Sequence, residues 1–419
     1  MSTPGARSTG ARAPGAPAGD AGAADRQSAG AKEERPLRVL GIETSCDETS
    51  AAVVEGAGDQ VALRSLVILS QDVHRLFGGV VPEIASRAHL TSVVLVVRQA
   101  LADAGVALPT PGATPPPDEP PIDAVAVTHA PGLVGALLVG VSYASALAHA
   151  LGVPCLGVHH LEGHLFATAL EHPDAVPPFT ALLVSGGHTL LLDVPAWGEY
   201  RLLGATRDDA AGEAFDKVAK LLGLPYPGGR HVEALARGAG ADAAGADGAA
   251  PDDAHRPAPR FARPMLRANQ RPDDADYYDV SFSGLKTAVL HAVRDAERRG
   301  ALAAERAGIA RAFQEALVET LVEKSYRAAR AHGRTRVVLG GGVACNGALV
   351  AAMRRRLEPR GARVHAPSPL LATDNAAMIA RAGLFRFERG ERGALGLTAH
   401  ASGPIPGLVA ERERETRAG

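Results

Sequence analysis

Two histidines four residues apart on a helix present their imidazoles on one face, and His160-Leu-Glu-Gly-His164 has that spacing. The pair suits coordination of a single metal ion, with a purely structural pair as the competing explanation. It is not the zincin arrangement, in which a Glu directly after the first His acts as base beside the metal. Glu162 instead stands at i+2 and points elsewhere on the helix. Spacing does not locate a third ligand. Asp374, in Thr373-Asp374-Asn375 ahead of a helical segment, offers a carboxylate, and a plain helix N-cap is its alternative role.

Three glycine-bearing turns suggest a second chemistry, each following a strand: Gly41 to Ser50 (GIETSCDETS), Val184 to Thr189 (VSGGHT) and Gly340 to Gly347 (GGGVACNG). Glycine lets backbone N–H groups approach an anion, and the hydroxyls of Thr44, Ser45, Thr49 and Ser185 can add hydrogen bonds. The third turn also precedes a helix, whose N-terminal partial charge favours phosphate. None continues into Gly-Lys-Ser/Thr and none completes G-x-G-x-x-G, so each alone reads as an ordinary tight turn. Together they indicate a nucleotide held between two lobes. Acidic candidates are Asp47 in the first turn and Asp208, Asp209, Glu213 and Asp216 in DDAAGEAFDK. Asp209, Glu213 and Asp216 have the spacing of one helix face, where they repel unless a cation or donor meets them; a solvated acidic face is the alternative. Lys286 could contact phosphate or simply face solvent. Two arginine series, Arg354, Arg355, Arg356, Arg360 and Arg363, and Arg256, Arg260, Arg263, Arg267 and Arg271, could meet an RNA backbone or form solvated surface.

The elements that must position these groups alternate between strand and helix. Strands are expected at Leu37 to Glu43, Ala51 to Glu55 and Val61 to Leu69, and a helix at Pro82 to Ala104. A β-α-β unit follows: a buried strand to Val127, a Gly-rich turn, a helix from Val134 to Leu151 and a strand to Val158. Strands at Phe179 to Ser185 and Thr189 to Val194 flank the Gly186-Gly187-His188 turn. Helices at Ala210 to Leu222, Ser283 to Arg298 and Ala303 to His332 lead to a strand ending near Leu339 and a helix starting near Asn346. The pattern is α/β, with two lobes that each open on a hairpin-rich sheet and close with helices.

Composition limits the remaining possibilities. The 419 residues allow two or three domains and a large core. Cys46, Cys155 and Cys345 are odd in number and widely spaced, which fits neither a disulfide framework nor a Cys-based zinc site and points to a reducing cytoplasm. With 44 basic against 46 acidic residues the chain is not a globally basic nucleic-acid binder, so RNA contact must come from patches or partners. Residues 1–36 lack an apolar run and are expected to be a disordered leader, and two low-complexity segments, 109–121 and 238–258, are expected to loop out. Between Asp123 and Glu162 there is no charged residue, yet glycines, prolines and histidines interrupt the run, so no membrane span is expected.

The motifs quoted above, with GGVVPEIASRAH (Gly78 to His89), HAPGLVGALLVG (His129 to Gly140), DDAAGEAFDKVAKLLGLPYPGG (Asp208 to Gly229), FSGLKT and TDNAAMIA, together resemble the tRNA threonylcarbamoyladenosine transferase family, formerly described as O-sialoglycoprotein endopeptidases. The resemblance runs in one order from about Leu37 to about Gly390. It implies the two-lobed actin/Hsp70/sugar-kinase-like (ASKHA) ATPase fold, with an N-terminal lobe over 37–155, a C-terminal lobe over 156–400 and a tail over 401–419. It also implies transfer of a threonylcarbamoyl group from threonylcarbamoyl-AMP to the exocyclic amine of the adenosine 3′ of the anticodon, in tRNAs reading codons that begin with A. His160, His164 and Asp374 match the family's metal ligands, for one divalent ion per subunit, iron with zinc as the alternative. Leu183, Val184, Ser185, Gly186, Gly187, Asp216, Gly229 and Asn346 match its adenylate-binding positions, and Asp47 stands in a motif facing the nucleotide, as the expected catalytic residue. Implied partners are a paralogous non-catalytic subunit and a small P-loop ATPase. A metallopeptidase and a sugar-kinase-like or chaperone ATPase are the competing readings.

Overall fold

The computed structural model describes residues 35–109, 121–244, 259–267, 269–393 and 396–410. The expected leader and the 109–121 segment lie almost wholly outside these residues, as do the second half of the 238–258 segment and the chain beyond 410.

The first sheet grows from β1 (Leu37–Glu43), β2 (Glu48–Ala57) and β3 (Gln60–Ser70), an antiparallel meander. Helix α1 (Pro82–Asp103) then leads to the crossover β4 (Ala124–Ala130), α2 (Val134–Leu151), β5 (Cys155–His159), whose strands run parallel to β1. Helix α3 (His160–Glu171) begins at the very next residue and carries the chain to the second sheet. There β6 (Phe179–Val184), β7 (Thr189–Ala196) and β8 (Glu199–Ala205) form another antiparallel meander. Helices α4 (Ala211–Leu221), α5 (Gly229–Ala244), α6 (Ser283–Arg298) and α7 (Leu302–Ala331) follow. Strand β9 (Arg336–Gly340), α8 (Gly347–Leu357), β10 (Arg363–His365), the short α9 (Pro369–Ala372), α10 (Ala376–Glu388) and β11 (Leu408–Ala410) complete the chain.

The strand orders, β3-β2-β1-β4-β5 and β10-β9-β6-β7-β8-β11, share one topology: a meander whose first strand is extended by two parallel strands. The carboxyl ends of β1, β4, β6 and β9 therefore deliver their turns to comparable edges, where open α/β sheets bind ligands. The apolar runs of these strands are buried on both faces. One face of the first sheet packs on α1 and α2 through residues such as Leu40, Ile42, Val97 and Val141, and the other on α10 through Val39, Ala126 and Ile379. In the second sheet α4, α6, α7 and α8 cover one face around Phe215, Phe313 and Leu339. Burying each such large side chain contributes about 1.5–3 kcal/mol. Helix α2 is long and apolar enough by composition to cross a membrane, but its Ala136, Leu137, Val141, Ala144 and Leu151 are spent on this core.

Two stretches expected to loop out or to form the tail are ordered in part. Helix α5 continues to Ala244, into the segment expected to loop out from 238, because alanine is the strongest helix former and outweighs the intervening glycines. Residues 401–410, expected as tail, are instead an ordered strap. The His400 N–H donates to the His129 carbonyl at 2.9 Å, the Ala401 carbonyl accepts from Gly132 N–H at 3.3 Å, Ile405 is buried, and β11 pairs in parallel with β8.

A lysine is buried in the longest helix. Lys324 of α7 is 1% exposed, and its Nζ donates to the carbonyls of Tyr277 at 2.6 Å and Asp276 at 3.0 Å. Burial, aided by the neighbouring Arg327, lowers its pKa from the usual 10.5 to about 8. The native state thus gives up this proton before the unfolded chain does, so stability should rise with pH across that interval. In denaturant titrations, the stability of the wild type relative to Lys324→Met is expected to improve between pH 8 and pH 10.5. A pH-independent difference would show that the ammonium carries no burial penalty.

Candidate active site

Because α3 starts where β5 ends, His160 falls in its first turn and His164 one turn later on the same face. The rings meet edge to face with centroids 4.7 Å apart. Each Nε2 lies 3.4 Å from the same Asp374 Oδ1, and the three ligand atoms lie within 4.8 Å of one another. Both ring nitrogens of His164 are buried without a hydrogen-bond partner. Such orphaned polar atoms need a partner, and two imidazoles with one carboxylate are a donor set for divalent iron or zinc with positions left open. The residues present therefore fit a metal.

Asp374 faces the histidines because its neighbour takes the capping role. Asn375 is the N-cap of α10, its side-chain oxygen accepting from Met378 N–H at 3.1 Å while its amide donates to Thr373 and Leu371 carbonyls. The N-cap alternative for Asp374 is thereby answered. Burial would raise the Asp374 pKa, but the two imidazoles outweigh it and hold the carboxyl well below the usual carboxylate range.

Sequence reasoning missed Glu43, the last residue of β1. It is fully buried, with Oε1 accepting from Ser45 N–H at 2.6 Å and Oε2 accepting from the Thr128 hydroxyl at 2.5 Å. The same Oε2 lies 3.3 Å from His160 Nδ1, and Ser45 Oγ lies 3.2 Å from it. A carboxylate on the far nitrogen orients a ligating imidazole and fixes its tautomer. The available signal was an acidic residue directly after the apolar run Val39 to Ile42.

Asp47 lies in the turn between β1 and β2, where its carbonyl accepts from Gln71 N–H at 3.1 Å. Its neighbour Glu48 is pushed up to about 9, first by burial and then by the charges of Asp47 and Asp374, so this turn and the triad share one acidic neighbourhood. Tyr226 lies in the α4–α5 connection, and burial, then the charges of Asp47 and Asp216, raise its phenol. Spacing gave no hint of Tyr226.

The expected adenylate positions gather at the carboxyl edge of the second sheet. Leu183 and Val184 end β6 with side chains buried in the core, so only their backbone can face a ligand. Ser185 closes the turn, its Oγ accepting from His188 N–H at 3.1 Å. Gly186, Gly187 and Gly229 border open space. Gly341, at φ +87°, has no room for a side chain, since a Cβ would meet the Val184 carbonyl at 2.5 Å. That contact stacks the turn after β9 on the turn after β6. Asp216 accepts from Gly228 N–H at 2.6 Å. Asn346 is committed to capping α8, accepting from Leu349 N–H at 2.9 Å and donating to Gln314 Oε1 at 2.9 Å.

Several other charged candidates pair elsewhere, and Arg256 lies outside the described residues. Asp209 precedes α4 and does not share a helix face with Glu213 and Asp216; it pairs with Lys217 at 2.9 Å and Lys286 at 2.7 Å. Lys286 is thus tied to a carboxylate. Asp208 accepts from Phe282 and Ser283 N–H groups at the start of α6. Arg267 pairs with Asp276, Arg263 with Glu319 and Arg356 with Glu323. Glu162 is turned away from the triad, to Arg386 and Tyr200, so it does not stand where a zincin base is required.

Comparison with known proteins places this geometry. The model of the family described as tRNA N6-adenosine threonylcarbamoyltransferase matches residues 62–381. A protein of that name from Gemmatimonas aurantiaca is 67% identical over 373 residues, covering 89% of this chain and 98% of the relative. Another, from Symbiobacterium thermophilum, is 49% identical over 371 residues, covering 88% and 96%. Among solved structures, HypF from T. kodakarensis aligns with TM-score 0.53 at 14% identity, over 85% of this chain and 48% of HypF. A full-length HypF in its phosphate- and nucleotide-bound form aligns with TM-score 0.52 at 13% identity, over 87% and 48%. These structures speak for the ASKHA-type fold alone. Family model and relatives agree over most of the length, and the chain belongs to the tRNA N6-adenosine threonylcarbamoyltransferase family.

Proposed function

We propose that this chain transfers the threonylcarbamoyl group from threonylcarbamoyl-AMP to N6 of adenosine 37, just 3′ of the anticodon, in tRNAs that read codons beginning with A. The observation that carries the reading is the pair of buried imidazoles converging on one carboxylate, His164 with no other partner, in a member of this family. His160, His164 and Asp374 hold one divalent metal, iron in preference to zinc, with Glu43 orienting His160. When bound, the metal supplies Lewis acidity toward acyl or phosphate oxygens.

The remaining chemistry belongs to the chain. An adenosine amine is a poor nucleophile because its lone pair is delocalised into the ring, so alignment must supply much of the rate. The backbone from Leu183 to Gly187 and the open space beside Gly186, Gly187 and Gly229 receive the adenylate, whose growing charge the turn's N–H groups stabilise. Asp216 and Asn346 hold that pocket's walls through Gly228 and α8. Asp47, in the turn between β1 and β2, orients the attacking amine and takes its proton. The lobes that enclose this cleft are 37–155 and 156–400.

The partners proposed are a paralogous non-catalytic subunit and a small P-loop ATPase, in the cytoplasm. Leu90 and Leu95 of α1 and Val134 and Leu138 of α2 are each more than half exposed, an apolar face suited to the helices of a related subunit. A peptidase is disfavoured by the position of Glu162, and a sugar-kinase-like ATPase would turn over ATP without tRNA.

Purified chain, its partners, threonylcarbamoyl-AMP and unmodified tRNA should yield the modified nucleoside by mass spectrometry; absence of product with a loaded, folded enzyme would refute the reading. Asp47→Asn is expected to bind threonylcarbamoyl-AMP normally and to transfer about 10²–10⁴-fold more slowly, and a wild-type rate would remove Asp47 from the chemistry. His164→Ala should lose stoichiometric metal on elemental analysis while keeping the fold by circular dichroism.

A further inference from the structure

Glu162 stands between two metal-ligand positions in sequence, yet it faces away from both and the proposed chemistry gives it no task. We infer that Glu162 and Arg386 are positioning residues, which hold α3 and α10 so that His160, His164 and Asp374 meet at one point. The inference rests on the metal reading above.

The geometry is that of a buried pin. Glu162 is 1% exposed, and its Oε2 accepts from Arg386 Nη2 at 2.6 Å and Nε at 3.0 Å. Its Oε1 accepts from the Tyr200 hydroxyl at 2.9 Å, which ties the pair to β8 of the second sheet. Arg386 also donates from Nη1 to Glu391 at 3.0 Å, so its guanidinium plane is fixed on both sides. One residue along α3 the helices touch directly: a methyl on Gly163 would meet Ile379 Cδ1 at 2.9 Å and Met378 Cγ at 3.1 Å. Contact at Gly163 sets the distance between α3 and α10, and the ion pair sets their angle.

That angle matters because the ligands are divided between the helices. His160 and His164 ride on α3, while Asp374 precedes α10 by two residues. Arg386 sits near the opposite end of α10, about 15 Å along the axis from its first residue at 1.5 Å per residue. A small swing about Gly163 would carry Asp374 away from the imidazoles, and metal–ligand distances tolerate only about 0.2 Å. Buried ion pairs often contribute little net stability relative to apolar side chains of similar volume. Their hydrogen-bond directions nonetheless select one orientation, and an apolar replacement does not.

This separates positioning from simple support of the fold. The variant Glu162→Met, Arg386→Met, Tyr200→Phe removes the pair without leaving a buried charge. It is expected to melt near the wild type as apoprotein but to bind Zn²⁺ at least about tenfold more weakly in chelator competition, with an altered visible spectrum when loaded with Co²⁺. A folded variant with wild-type Zn²⁺ affinity and Co²⁺ spectrum overturns the inference. If the triple variant does not fold, Glu162→Gln serves: weaker Zn²⁺ binding supports the inference and unchanged binding overturns it. His164→Ala is the control for the underlying reading. If it binds Zn²⁺ as tightly as the wild type, or the wild type binds none, the metal reading fails and takes this inference with it; if only His164→Ala loses binding, this inference alone falls.

Discussion

Helix α10 lies against strand β1 so closely that a methyl on Gly41 would meet the Ala376 carbonyl at 2.2 Å and the Ala380 nitrogen at 2.7 Å. On this contact the rest of the site depends. It brings the residue before the α10 cap, Asp374, to the end of the strand that carries Glu43 and to the first turn of α3. The three ligand positions and the carboxylate behind them come from three elements distant in sequence, and no local interaction could assemble them. A larger residue at 41 would lift the helix, and with it the carboxylate.

The repeated topology explains why the glycine-bearing turns and the histidine helix lie so near one another. Each sheet extends a meander with two parallel strands, and each puts its turns at the same edge. Helix α3 is the direct link between the two, beginning at β5 and touching the second sheet through the Thr168 hydroxyl, which donates to the Leu339 carbonyl at 3.0 Å. Its N-terminal turn thus faces the first lobe's acidic turn while His164 lies beside the Gly340 turn, where a Cβ would meet the His164 carbonyl at 2.9 Å.

Much of this was legible in the sequence because it is periodic or local. The apolar runs of β1, β4, β6 and β9 and the i, i+4 histidines announce themselves, and the boundaries of α2 and α6 read correctly to the residue. What was illegible depends on tertiary contact. Glu43 looks like a strand-end charge facing solvent until Thr128 and His160 close over it. Asp374 and Asn375 are equally good caps on paper, and only the packing of α10 decides which one caps. The Asp209, Glu213 and Asp216 trio has helical spacing, but the helix starts after its first member. The strap fails every periodicity test because β11 is three residues long and draws its order from β8.

The dependence on α10 also sets an order of events during synthesis. The back of the first sheet, with Val39, Ala52, Val54, Ala124 and Ala126, has its cover in residues 376–388, which leave the ribosome more than 200 residues after β5 is complete. Until then a broad β-surface stays uncovered, and the helix that will seal it is still being made. The first lobe cannot be finished first, although its strands are made first; its completion waits for nearly the whole chain, and the long loop closure slows that final step. A nascent chain stalled before residue 376 would already carry Glu43, Asp47, His160 and His164 while this apolar face stayed uncovered and prone to associate with other chains.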